Sequence, residues 1–157
     1  MKRLSMVLLS GVLLLDGCAP TTGNELDRLA KADLKIRNIE FNAWVADTED
    51  SRQRGLMFVT NDQMETGDGE PRKGMLFVFS APQILKFWMK NTVIPLDIAY
   101  IDSDGKIVKI YTMGPLDVTT DFSSGRPCLY ALEVQGGVFS KLDIKEGDVV
   151  DIQLEGN

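Results

Sequence analysis

Two carboxylates and one tryptophan-centred string are the residues through which this chain could do chemistry. In Leu129-Tyr130-Ala131-Leu132-Glu133-Val134, strand alternation groups Glu133 with Leu129 and Ala131, against Tyr130, Leu132 and Val134. Both faces are largely apolar, so the carboxylate is expected to be partly buried. A buried carboxylate needs a cation, hydrogen bonds or a proton of its own. Arg54 and Lys90 are the candidate cations. With them Glu133 either lines a pocket or forms a structural ion pair, and structural networks of this kind are common.

Asp97 follows Pro95 at a strand start, on the face of Ala99 and Ile101. Placed near Glu133, at about 5 to 10 Å, it would make an acid–base pair suited to a glycan. Its simpler role is to accept hydrogen bonds from backbone N–H groups at the strand end. In Phe87-Trp88-Met89-Lys90-Asn91, Trp88 shares a face with Lys86 and Lys90. It is either an exposed ring on which a flat ligand stacks or a core ring covered by lysine stems. Asn91-Thr92 is expected to close that strand as a turn.

Other constellations are weaker. There are seven methionines, among them Met57, Met75 and Met89, and thioethers can hold Cu(I). Unclustered and without histidine, they suit core filling better. Asp102-Ser103-Asp104-Gly105 lacks the later ligands of a calcium loop and reads as a hairpin turn. No metal or other cofactor is expected. Cys128 has no histidine to activate it and reads as a small packed hydrophobe.

Histidine is absent altogether, which removes Ser-His-Asp and Cys-His catalysis, imidazole zinc sites and histidine pH switching. The 157 residues suit one domain, and 44% hydrophobic with 25% charged residues is a globular mix. A net charge of −6 disfavours nucleic acid as a partner.

The N-terminus has the form of an address. Lys2 and Arg3 precede an apolar run from Leu4 to Leu15, shorter than the roughly 20 residues that cross a bilayer but of secretory length. Leu15-Asp16-Gly17-Cys18 resembles a bacterial lipobox, with Asp16 where a small neutral residue is usual. Residues 1–17 are therefore expected to be a lipoprotein signal peptide, with Cys18 the lipidated residue and 18–34 a flexible tether. With Asp16 in that place, cleavage by an ordinary signal peptidase nearby, with secretion to the periplasm, and an uncut anchor are the alternatives. Ala19 after Cys18 favours the outer membrane by analogy with lipoprotein sorting. With Cys18 lipidated, Cys128 has no thiol partner and no internal disulfide is expected.

The elements that must position these side chains are short strands. Alternation from Ile36 to about Val45 predicts one strand, and Thr48 caps a short helix ended by Gly55. Residues 59–73 read as a loop. Gly74 to Phe79 and Ile84 to Lys90 read as two strands, and Pro95–Asp102 with Lys106–Thr112 as a hairpin turning at Gly105. Leu129–Gln135 and Asp148–Leu154 complete the set, with a helical turn over 138–143. The expected fold is a single mostly β domain over residues 35–157: an antiparallel sandwich or barrel with one or two short helices.

Four ordered blocks carry a resemblance: Arg54-Gly55-Leu56-Met57-Phe58, Gly74-Met75-Leu76-Phe77-Val78-Phe79, Phe87-Trp88-Met89-Lys90-Asn91-Thr92 and Ile94-Pro95-Leu96-Asp97. Leu132-Glu133-Val134, Gly137 and Gly147-Asp148 continue it. Together they resemble the domain-of-unknown-function 192 family over about Ile36 to Leu154. The family commonly has an arginine near Val59 and a shorter loop before the Gly74 block, so the chain departs there. The resemblance implies a compact, jelly-roll-like β fold, often secreted, and no activity.

The expected function is that of an envelope-anchored, non-enzymatic module on the periplasmic side of a membrane. It would bind a cell-wall glycan or a protein partner through Arg54, Trp88, Lys90, Asn91, Asp97 and Glu133. The alternatives are a polysaccharide-acting enzyme using Asp97 and Glu133, or a purely structural envelope protein in which all six residues are braces.

Overall fold

Lys31-Ala32-Asp33-Leu34-Lys35-Ile36 alternates charged and apolar side chains without a break, and it forms a strand, β1 (Lys31–Ile36), with the apolar set buried. Arg37 takes a left-handed φ of 55°, and the chain reverses into β2 (Ile39–Ala46), pairing Ile36 with Ile39. The computed structural model describes residues 25–154. The expected signal peptide, Cys18 and the first part of the expected tether lie outside them. The rest of the tether is ordered: Leu26–Arg28 form a 3-10 turn with Leu26 buried, and β1 follows. The single strand expected from Ile36 is thus a hairpin whose first arm lies in the expected tether.

Helix α1 (Glu49–Arg54) follows, capped by Thr48 and ended at Gly55 as expected. The stretch 59–73 is more structured than a loop. It holds α2 (Asn61–Met64), with Met64 buried, and the start of β3 (Arg72–Phe87). β3 absorbs both strands expected over 74–79 and 84–90. Pro82 cannot donate to the ladder, and the register with β6 (Phe122–Gln135) shifts between Val78 and Gln83, so one bent strand reads as two. The hairpin of β4 (Leu96–Ile101) and β5 (Ile107–Met113), helix α3 (Val138–Lys141) and β7 (Val150–Leu154) complete the chain.

The seven strands form one mixed sheet in the order β5-β4-β6-β3-β2-β1-β7. Its outer strands meet where Lys106 bridges Val149, with Val150 N–H donating to Gly105 at 2.8 Å, so the sheet curls towards a barrel. The domain is mostly β with three short helices. One pairing departs from the antiparallel expectation: β2 runs parallel to β3. Parallel neighbours need a long crossover, and here it is the segment carrying α1 and α2. That crossover lays Leu56, Val59 and Met64 over a core of Met75, Phe77 and Ile98. The opposite face packs Leu76, Ala99, Leu132 and Val134 against Leu34 and Phe139.

Candidate functional site

The crossover delivers Arg54 to the site. Thr48 fixes the start of α1: its Oγ1 accepts from Ser51 N–H at 3.1 Å, and its own N–H donates to the Ser51 hydroxyl at 3.0 Å. Gly55 ends the helix at φ 48°, ψ −136°, a region open only to glycine. A Cβ there would lie 3.4 Å from the Phe77 ring. The backbone therefore passes close over Phe77, with Arg54 left exposed and Leu56 turned into the core.

Beneath this turn lies Glu133. Its cross-strand partners are Met75 on β3 and Ile98 on β4, so it sits in the middle of the sheet among the side chains that the crossover covers. Gly74 makes the β3–β6 approach possible, since a Cβ there would stand 2.6 Å from the Glu133 carbonyl. Glu133 is 4% exposed and lies in a cavity of about 230 Å³ beside Phe77, Phe79, Phe87 and Thr92. Among the described residues no hydrogen bond or ion pair engages its carboxyl group. Burial alone pushes its pKa from the ordinary 4.5 to about 8, so the group carries a proton at neutral pH. The expected pairing with Arg54 or Lys90 is not formed. Both cations stand with Glu133 along this cavity, and neither has an ion-pair partner among the described residues.

The cavity walls are braced. Phe77 and Phe87 meet edge to face at 4.8 Å, and Phe87 meets Tyr100 at 5.8 Å. The Arg52 guanidinium lies over Phe79 at 5.1 Å and donates to the Val78 carbonyl at 3.0 Å. Lys86 is paired with Asp121 at 3.0 Å. Arg52 and Lys86 therefore have hydrogen-bonding or ion-pair partners, whereas among the described residues Arg54 has no ion-pair partner and Lys90 rests only against the Trp88 ring.

Trp88 lies past the end of β3 and is 48% exposed, with the Lys90 ammonium 5.2 Å from its ring. The ring is open to solvent, so it is not the core ring of the second alternative, although a lysine lies over one side of it. Asn91 closes the turn at a left-handed φ of 56°. Its carbonyl accepts from Phe58 N–H at 2.9 Å, and its side chain donates to Met57 Sδ at 3.8 Å. Arg54, Met57, Phe58, Trp88, Lys90 and Asn91 line an outer recess of about 510 Å³ that shares Arg54, Trp88 and Lys90 with the inner cavity.

Asp97 belongs elsewhere. It pairs across the ladder with Val134, one residue from the Ile98–Glu133 pair, so its side chain leaves from the opposite face of the sheet. There its Oδ1 accepts from the Thr112 hydroxyl at 2.7 Å and its Oδ2 from Phe139 N–H at 3.0 Å. It is 1% exposed and braces the start of α3. The expected acid–base pair of Asp97 and Glu133 is therefore not formed, and Asp97 is no part of the cleft. Five of the six residues read from the sequence come together; Phe77, Phe79 and Phe87 were missed as walls. Their signal was the alternation in Met75-Leu76-Phe77-Val78-Phe79, which puts Phe77 and Phe79 on one face.

Cys128 is buried, and burial pushes its thiol pKa up. Among the described residues no group of three or more Cys, Asp or Glu is placed to hold a metal, and no helix is long and apolar enough to cross a membrane.

Fold and cleft together define a single-domain mixed β-barrel-like protein with a small aromatic cavity, a buried carboxyl group on its lining, and a mouth where Arg54 and Lys90 stand with Glu49 and Asp50. The chain matches the profile of DUF192 (Uncharacterized ACR) over residues 32–152; it belongs to this family. It is similar to the crystal structure of a protein of unknown function from Novosphingobium aromaticivorans DSM 12444. That similarity has 31% identity and a TM-score of 0.68, over 90% of this chain and 99% of the other. It is also similar to a structure described as that of a candidate transcription regulator from Sinorhizobium meliloti 1021. Here identity is 29% and the TM-score 0.69, over 79% of this chain and 95% of the other. No curated protein matches it.

Proposed function

We propose that the protein is an envelope-anchored binding module whose cleft, between α1 and the Trp88 turn, takes a small ligand. The carrying observation is Glu133: a carboxyl group lining a cavity, with no hydrogen bond or ion pair to it among the described residues, in a space that it shares with two cations that form no ion pair there. Its carboxyl group faces the open cavity, and a ligand that replaces water there can take up its hydrogen-bonding capacity. Hydrolysis by paired carboxylates has no support, because Asp97 faces away from Glu133. The S. meliloti relative is described as a candidate transcription regulator; for this chain, direct binding of nucleic acid is disfavoured by the net charge of −6.

The anchor is Cys18, after removal of residues 1–17, on the periplasmic side of the membrane. Between the lipid and Glu25 lie residues 18–24, which reach about 25 Å when fully extended. Glu25 and Arg28 share a surface depression with Arg54, so the chain enters the domain beside the cleft. The outer membrane is the favoured address.

Two experiments test the proposal. Cys18→Ser is expected to abolish lipid labelling and release the protein from membranes; unchanged membrane association would overturn the anchor. A thermal-shift screen of organic anions, amines, zwitterions and sugars should raise the wild-type Tm with at least one class. The same class should not raise it in an Arg54→Ala/Lys90→Ala double variant. Stabilisation by none of them would overturn the binding role.

A further inference from the structure

We propose that the ligand of this cleft is a small amphipathic monoanion: an anionic group at Arg54 and Lys90, an apolar ring against the phenylalanine wall, and an uncharged hydrogen-bonding group at Glu133. This ligand class rests on the binding role proposed above. Three observations assign the three parts. Arg54 and Lys90 stand where the inner cavity meets the outer recess. Glu49 and Asp50 also line these spaces, but Glu49 pairs with Arg52 and among the described residues no carboxylate forms an ion pair with Arg54 or Lys90. Arg52 and Lys86 are on the same cavity but committed to Val78, Phe79 and Asp121. An anion at the mouth therefore meets two cations whose charge is available.

The walls favour a ring. Phe77, Phe79, Phe87 and Leu56 line the inner space, and the edge-to-face contacts of Phe87 with Phe77 and Tyr100 fix the wall that it presents. About 230 Å³ lies below the range of roughly 300–1,000 Å³ usual for drug-sized ligands, so the inner part takes little more than one ring. At the far end a protonated Glu133 can donate one hydrogen bond and accept another. A hydroxyl, carbonyl or amide satisfies it. An ammonium would have to leave water, pass the cations at the mouth and ionise a desolvated acid, three costs that a neutral group avoids.

The test uses the full chain in detergent, with 4-hydroxyphenylacetate as the probe, followed by calorimetry and tryptophan fluorescence at pH 6.5. Phenylacetate, tyramine and glucose serve as comparators. The hydroxylated anion should bind about tenfold more tightly than phenylacetate, the worth of one good hydrogen bond, and tyramine and glucose should not bind. Arg54→Ala/Lys90→Ala should weaken the anion at least about tenfold. Affinity should fall as pH rises past about 8, where Glu133 ionises, and Glu133→Gln should remove that dependence. Binding of tyramine or glucose in place of the anions would overturn the ligand class and leave a binding cleft. Anion binding unchanged in the double variant would overturn the placement. Binding by no probe here and by no class in the thermal-shift screen would overturn both this inference and the binding role.

Discussion

Asp97 and Glu133 are both buried acids on neighbouring strands, one ladder position apart, yet their situations are opposite. Asp97 accepts from a hydroxyl and a backbone N–H, so both carboxylate oxygens are satisfied and the group braces β5 and α3. Glu133 has only apolar side chains beside it in the ladder and an open cavity before it. Depth does not separate them; the partners do. A carboxylate supplied with donors inside the protein is a brace, and one left without them is where a second molecule can add free energy.

The comparison can be broken most directly through pH. Glu133 binds its proton more tightly folded than unfolded, so between pH 4.5 and about 8 the unfolded chain has released a proton that the folded chain keeps. Its contribution to stability is whole below pH 4.5 and falls as pH rises through that window, by at most about 1.4 kcal/mol per pH unit. Glu133→Gln should therefore match wild type near pH 4.5 and exceed it by a few kcal/mol above pH 8. Urea unfolding at several pH values measures this, and parallel curves would mean that Glu133 is ionised and paired.

Asp97→Ala should act in the other direction, destabilising by about 2 kcal/mol, because the buried Phe139 N–H is left unpaired, while the exposed Thr112 hydroxyl can turn to water. A loss under about 1 kcal/mol in denaturant titration would show the brace to be dispensable. Thr112→Val removes one of the two donors and should cost about 1 kcal/mol, with no effect on ligand binding at the cleft.

The smallest stability change belongs to the mouth. Arg54→Ala and Lys90→Ala each remove an exposed cation that has no ion-pair partner among the described residues, so unfolding free energies should move by less than about 0.5 kcal/mol. Loss of probe binding in these variants without loss of stability separates a binding role from a bracing one. A large stability loss would instead make them braces like Asp97.

Much of the local architecture was legible. Thr48 and Gly55 marked α1, Gly105 marked the β4–β5 turn, and alternation identified Glu133 as a buried acid. Other features were readable but misread. The alternation of Lys31 to Ile36 is as regular as any in the chain, yet its charged members gave it the look of a tether. Pro82 punctuates an apolar run, so a single bent strand was read as two. The partnership of Asp97 and Glu133 was of another kind, because alternation assigns faces within a strand and says nothing of how two strands align. A slip of one residue between β4 and β6 would have set Asp97 beside Glu133.

The sequence by itself determined that the domain is mostly β, that Glu133 is buried, and which cations were candidates to accompany it. Those properties depend on side-chain type and spacing along a few neighbouring residues. The tertiary structure alone decided that β2 and β3 run parallel, that their crossover carries Arg54 over Glu133, and that Asp97 faces away. Register and crossover are relations between distant segments, set by how two apolar faces are covered at once, and no local pattern encodes them.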